Sequence, residues 1–290
     1  MQWEIEIIRA LQKLSCGFFD ALNIALTQLG DEIFFMAVAV LLYWCFDKKF
    51  AYKFMNVYLF SVAVNEGVKT LVGRRRPYTV EGVRSIGNPT SGASFPSGHS
   101  QSIACISAQI NMKYREGVLK KIFLPVGIAL TALVMFTRIY LGQHYLTDTI
   151  VGCALGIALA FVFSFLFDLL GDKEEWLIFA APLCLAAAVI LGALGVENVG
   201  NVMTVLGAYT AITVGYFLEK KFVRYKHGKS KWWKQIIKVA VGLVTVLALK
   251  EGLKFAFDPE QYLLYNYLRY FIVGLWASVG CMTLFKLCRL

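Results

Sequence analysis

From residue 31 to its end the chain is a succession of apolar runs, each about long enough to cross a hydrocarbon layer and separated from the next by a short polar stretch. The runs fall at roughly 31–46, 52–72, 99–113, 121–141, 147–170, 176–195, 202–219, 235–255 and 266–286. They predict about nine spanning helices, several near the short limit for a span. The first 28 residues follow a different pattern. Trp3, Ile5, Ile8, Leu11, Leu22 and Leu26 recur at helical spacing among Glu4, Glu6, Arg9, Lys13 and Asp20. Such a helix is amphipathic but too charged to span, so it is expected to lie along the interface or cap the bundle.

The polar interruptions orient the runs, because Lys and Arg collect in cytoplasmic loops. Lys48, Lys49 and Lys53 form one cluster; Lys113, Arg115, Lys120 and Lys121 a second; Lys220, Lys221, Arg224, Lys226, Lys229, Lys231 and Lys234 a third. All three fall on one side of an alternating topology, and Lys286 and Arg289 agree with them. An odd number of spans then puts the N-terminus outside and the C-terminus inside. Lys69 to Arg76 and Arg138 break the rule by falling on the non-cytoplasmic side, so they call for a function. The connection from Pro77 to Pro96 is long for a simple turn, and suggests a lid or substrate loop.

Composition narrows the class. The chain has 290 residues, 58% of them hydrophobic, with mean hydropathy +0.61. That is more apolar surface than a soluble core of this size requires, and it predicts a polytopic all-α membrane protein. No initial stretch has the form of a secretory signal, so the first spans are expected to direct insertion themselves. The net charge of +10 belongs to the loop asymmetry rather than to a nucleic-acid surface. Seven cysteines are scattered without the spacing of a zinc site or disulfide framework, and read as small core residues.

Candidate chemistry sits in three polar constellations that the alternation of spans brings to one face. Phe95-Pro96-Ser97-Gly98-His99-Ser100 is a turn opening into a helix, whose free N–H groups and positive dipole end attract anions. Taken alone it is an ordinary helix cap; His99 adds a proton donor. Lys69 and Arg76 would share a helix face about 10 Å apart if the helix continued between them. Pro77 biases Arg76 toward a turn facing back over the site. Arg138 offers a fork for phosphate oxygens, and His144 and Asp148 are spaced for the carboxylate to hold the imidazole's tautomer. Such an inventory suits phosphoryl transfer without a metal or other cofactor. Cations hold the oxygens, one histidine attacks phosphorus and another protonates the leaving group. No acidic cluster suited to magnesium accompanies it. His227, in the basic loop, reads as unremarkable.

Together these residues resemble the type 2 phosphatidic acid phosphatase superfamily, also called lipid phosphate phosphatases. Its pattern is Lys-x6-Arg-Pro, then Pro-Ser-Gly-His, then Ser-Arg-x5-His-x3-Asp. Here it reads Lys69 to Arg76-Pro77, Pro96-Ser97-Gly98-His99, and Thr137-Arg138 with His144 and Asp148, Thr137 standing where serine is usual. The resemblance implies His144 as nucleophile, Asp148 orienting it and His99 as general acid. It also implies that Lys69, Arg76, Ser97, Gly98 and Arg138 bind phosphate. It divides the chain into an interfacial helix over 1–30, a six-span phosphatase core over 31–195 and about three further spans over 196–290. The implied substrate is a lipid phosphate such as phosphatidic acid, phosphatidylglycerol phosphate or a polyprenyl pyrophosphate. The nine-span topology is similar to the glucose-6-phosphatase branch and keeps a soluble sugar phosphate as an alternative. A noncatalytic lipid-binding or transport protein is the third reading. The implied location is a bacterial plasma membrane with the site on the periplasmic or extracellular face, or the endoplasmic reticulum with the site on the lumenal face.

Overall fold

The structure, a computed structural model, describes residues 2–194, 200–227, 231–257 and 262–290. The expected boundary at 195–196 therefore lies outside the described residues, as does Lys229. Each of the nine apolar runs falls, among the described residues, almost wholly on helical backbone. Among the described residues, five helices are long and apolar enough to cross a membrane: Gly117–Tyr140, Leu146–Leu169, Gly171–Leu191, Val202–Val223 and Leu264–Leu287. Gly17–Gly30 and Glu32–Phe46, bent by 52°, make a sixth if they count as one span. The helices Lys48–Val72 and Trp232–Ala256 carry several lysines, and Gly98–Lys113 has only 16 residues. These three helices are not among the spanning set, so the number of spans that length and hydropathy support is below the nine expected.

The chain divides into two compact units. The first comprises residues 1–38 and 54–169 and holds α1 (Gln2–Gln12), α2 (Gly17–Thr27), the start of α3 (Glu32–Leu41), most of α4 (Lys48–Val72), α5 (Gly98–Lys113), α6 (Gly117–Tyr140) and α7 (Leu146–Leu169). The amphipathic N-terminal pattern is thus two helices rather than one, with Cys16 in extended backbone before α2. The apolar stripe of α1 turns inward: Ile8 is fully buried against Val83, Ile139 and Tyr145.

Small residues let the helices carrying the motifs approach closely, a packing mode suited to membranes. On α7, a Cβ at Gly152 would stand 2.5 Å from the Ser97 carbonyl oxygen, and one at Gly156 would collide with the Gln101 carbonyl. Beneath that seam Val57, Cys105 and Ala160 form a buried cluster joining α4, α5 and α7. A polar rivet ties α4 to α5: Gln101 Nε2 donates to Ser61 O at 2.7 Å, and Gln101 Oε1 accepts from Asn65 Nδ2 at 2.6 Å. Buried amides in an apolar bundle stay only where such partners exist.

The second unit comprises residues 39–53 and 170–290. Its helices are α8 (Ala180–Ala193), α9 (Gly200–Leu218), α10 (Trp232–Ala256), α11 (Leu263–Leu275) and α12 (Cys281–Leu287). Ala188, Met203 and Tyr267 form a core cluster of α8, α9 and α11, and the Trp44 ring fills the space a side chain at Gly242 would need. Its buried carboxylates are paired: Glu219 meets Lys48 at 2.7 Å, and Glu174 accepts from Tyr216 Oη at 2.9 Å and Lys220 at 3.1 Å. His227 Nε2 lies 2.9 Å from the Tyr43 carbonyl, a local tether in keeping with its unremarkable reading. All seven cysteines are free; Cys16 and Cys288 are exposed, so the core reading does not extend to those two.

Candidate active site

The eight residues singled out in the sequence, Lys69, Arg76, Ser97, Gly98, His99, Arg138, His144 and Asp148, all lie in the first unit. The helix bearing Lys69 does not continue to Arg76. α4 ends at Val72, and Gly73 takes a left-handed φ of +60°, the C-terminal stop that glycine adopts most cheaply. Arg76 follows in extended backbone, as Pro77 requires. Its guanidinium is buried and turned back toward the third constellation. Nε donates to Gly92 O at 3.0 Å, Nη2 to Ser91 O at 2.9 Å and Nη1 to Gln143 O at 3.2 Å. Nη1 also faces His144 Nε2 at 3.3 Å. The 77–96 connection is thus bonded into the site along its length rather than standing off as a free lid. Tyr78 Oη donates to Thr90 O at 2.9 Å, and Thr90 N to Gln143 Oε1 at 3.1 Å.

Ser97 caps α5, its Oγ accepting from Ser100 N at 3.4 Å. Its own N–H reaches Asp148 O at 3.0 Å, which binds the second constellation to the third. Gly98 keeps the α5 N-terminus open: a Cβ there would lie 3.6 Å from Lys69 Nζ, so this lysine stands beside the turn. Lys69 is meanwhile paired with Glu66 at 2.7 Å. His99 has its Nε2 at 3.8 Å from Asp31 Oδ2.

Arg138 emerges in the last turn of α6, with Nη1 at 3.2 Å from Thr27 Oγ1 and Nη2 at 3.3 Å from Thr90 Oγ1. Its buried Nε has no hydrogen-bond partner among the described residues. A buried donor of this kind is costly unless something accepts from it, so it gives the site capacity for an anion. Thr137 directs its hydroxyl to Val134 O at 2.8 Å, within its own helix. Gly142, at φ +70°, presses against the Arg84 carbonyl and turns the chain from α6 into His144.

The His144–Asp148 pair differs from the direct contact its spacing suggests. His144 Nδ1 lies 2.7 Å from the Ser94 carbonyl oxygen and 3.6 Å from Asp148 Oδ2. A carbonyl accepts only, so the proton sits on Nδ1 and Nε2 carries a lone pair toward Arg76. Asp148 is completely buried. Its Oδ2 accepts from Ser94 Oγ and, at 2.9 Å, from Tyr145 N; its Oδ1 accepts from Arg74 Nη1 at 2.6 Å. Burial holds the His144 imidazole well below the ordinary histidine range; Asp148 opposes this and the cations Arg138 and Arg76 add to it. The ring is therefore neutral near pH 7. Ser94 and Arg74 went unsuggested by the motif spacing.

Two family models fit separate stretches of the chain: the PAP2 superfamily over residues 50–172, and the PAP2 superfamily phosphatase transmembrane extension over residues 203–290. The chain belongs to the PAP2 superfamily. Among curated PAP2-like proteins it is 24% identical over 166 residues to lipid phosphate phosphatase delta of Arabidopsis thaliana, covering 53% of this chain and 40% of that protein. It is 35% identical over 75 residues to phosphatidylglycerophosphatase B of Bacillus subtilis, covering 24% of this chain and 36% of the relative. The chain thus spans less than half the length of either relative. A crystal structure of a transmembrane PAP2-type phosphatidylglycerolphosphate phosphatase from Bacillus subtilis aligns with 22% identity and a TM-score of 0.49, over 58% of this chain and 85% of that one. The PAP2 model ends at residue 172, close to the end of the first unit at Leu169, and the extension model falls within the second.

Proposed function

We propose that the protein is an integral membrane phosphatase that hydrolyses a lipid phosphate monoester or pyrophosphate through a phosphohistidine, with no metal. The carrying observation is the placing of the His144 ring, with Nδ1 at the Ser94 carbonyl and Nε2 facing the Arg76 fork. The names of the two relatives support a lipid substrate. In this reading phosphate enters between Nε2 and Arg76, replacing their contact. Lys69, Arg76, Arg138, the Ser97 hydroxyl and the Gly98 N–H hold its oxygens. Nε2 attacks phosphorus while His99 gives a proton to the leaving oxygen, and Asp148 stabilises the imidazolium that forms. His99, now neutral, takes a proton from water as that water attacks the phosphohistidine; phosphate leaves and His144 returns to its starting tautomer. The site opens on the non-cytoplasmic face, the side on which Lys69 to Arg76 and Arg138 break the loop-charge rule.

The test is phosphate release in detergent from phosphatidic acid, phosphatidylglycerol phosphate, undecaprenyl pyrophosphate and glucose 6-phosphate. Release from at least one lipid is expected, with His144→Ala losing about 10³-fold or more in kcat. Activity surviving that substitution sinks the mechanism. Release from glucose 6-phosphate alone moves the substrate to the soluble class, and no release from any substrate favours the noncatalytic reading.

A further inference from the structure

The nucleophile's carboxylate is itself held by a chain of charges leading out of the motifs to the first turn of the protein. Arg74 Nη1 donates to Asp148 Oδ1 at 2.6 Å and to Thr147 Oγ1 at 2.8 Å, while Nη2 donates to Glu4 Oε2 at 2.8 Å. The guanidinium lies 3.9 Å above the Tyr145 ring, which fixes its plane. Glu4 is 3% exposed, a burial that an unpaired carboxylate does not tolerate. Its Oε1 accepts from Thr147 N at 3.0 Å and Thr147 Oγ1 at 2.8 Å. A side chain of α1 therefore caps the N-terminus of α7, where the helix dipole favours negative charge. Burial pushes the Glu4 carboxyl up, but the Thr147 and Arg74 contacts outweigh it and leave it below the usual carboxylate range. The rest of α1 is fastened to the same two connections. Arg9 Nη2 reaches Glu81 O at 2.5 Å, and Gln12 Nε2 reaches Arg84 O at 2.8 Å and Tyr140 O at 3.1 Å.

We infer that Arg74 and Glu4 are positioning residues for the reaction: Glu4 aims Arg74, Arg74 fixes one oxygen of Asp148, and the other oxygen is thereby held toward the His144 imidazole. This rests on the phosphatase reading, in which Asp148 stabilises the imidazolium. Without Arg74 the carboxylate has a free oxygen and an uncompensated charge. It can rotate, and it draws a proton onto His144 more strongly in the resting protein. The other charged and titratable groups facing the pair are Arg76 from the connection after α4, Arg138 from α6, His99 from α5 and Tyr145 beside it. Of these, Tyr145 meets Asp148 through its backbone N–H and Ile8 of α1 through its ring, whereas Arg74 joins Asp148 to a carboxylate of α1 through one side chain.

The test uses the full chain in detergent, comparing Arg74→Gln, Arg74→Lys, Glu4→Gln and the double variant Glu4→Gln/Arg74→Gln. Two readouts are taken: steady-state kinetics on the lipid phosphate that the wild type hydrolyses, and the His144 titration by NMR of 15N-histidine protein, assigned with His144→Gln. Arg74→Gln is expected to lower kcat about 10- to 100-fold with KM little changed. It should also raise the His144 midpoint, and Arg74→Lys should restore part of both. Glu4→Gln should do the same more weakly, and add nothing to Arg74→Gln, because it acts through that side chain. An unmoved His144 midpoint in Arg74→Gln overturns the inference, as do fully additive losses in the double variant. If Arg74→Gln does not fold, Arg74→Lys and Glu4→Gln carry the same comparison. If the wild type releases no phosphate while the midpoint still moves, the phosphatase reading fails and the positioning of the pair stands.

Discussion

At the scale of single residues, the two histidines of the site occupy different surroundings. His144 is enclosed at 2% exposure, while the His99 side chain keeps 23% and can meet a leaving group arriving from outside. An acid matters most when the leaving oxygen is basic. His99→Ala should therefore depress hydrolysis of an alkyl phosphate about 10²-fold or more and that of a p-nitrophenyl phosphate far less. Equal losses on both substrates count against the acid role. The motif residues were legible because their side-chain types and spacing are written along the chain. Ser94 was not, because what it offers His144 is a carbonyl, which every residue has. Glu4 was hidden for another reason: on an amphipathic helix, a buried carboxylate with distant partners looks like a solvated one.

At the scale of elements, the spacing of the second and third constellations depends on how closely α7 approaches α5. Gly152 lets the Ser97 carbonyl sit against the α7 backbone, and Gly67 on α4 has open space around it. Gly152→Ala should destabilise the protein by about 1–3 kcal/mol through overpacking. Gly67→Ala should be neutral, or stabilise by up to about 1 kcal/mol, by removing freedom from the unfolded chain. Thermal unfolding in detergent separates the two, and equal melting temperatures contradict the close-packed seam. The end of α4 was legible: the apolar run stops at residue 72, where the helix ends, and Pro77 marks Arg76 as part of a turn rather than of the helix. The break between α1 and α2 was obscured, since one apolar stripe continues through both helices.

At the scale of the molecule, apolar runs and loop charge made the helical membrane class plain, while the number of spans stayed less legible. Length and hydropathy do not say whether a charged helix such as α4 or α10 is shielded by its neighbours. Topology can be checked through the two exposed cysteines, Cys16 and Cys288. With an odd number of spans, a membrane-impermeant maleimide should modify Cys16 from the non-cytoplasmic side and reach Cys288 only after permeabilisation. Labelling of both from one side reverses the parity. The Ser94 carbonyl has a consequence for the lineage of such proteins. Because the group that selects the His144 tautomer belongs to the main chain, it is inherited as the path of a loop rather than as a letter. Alanine at this fully buried position would lose the hydroxyl bond to Asp148 and still present the carbonyl that orients the nucleophile. Substitution profiles at that position would understate its importance, and insertions or deletions between Pro77 and Pro96 would reveal it.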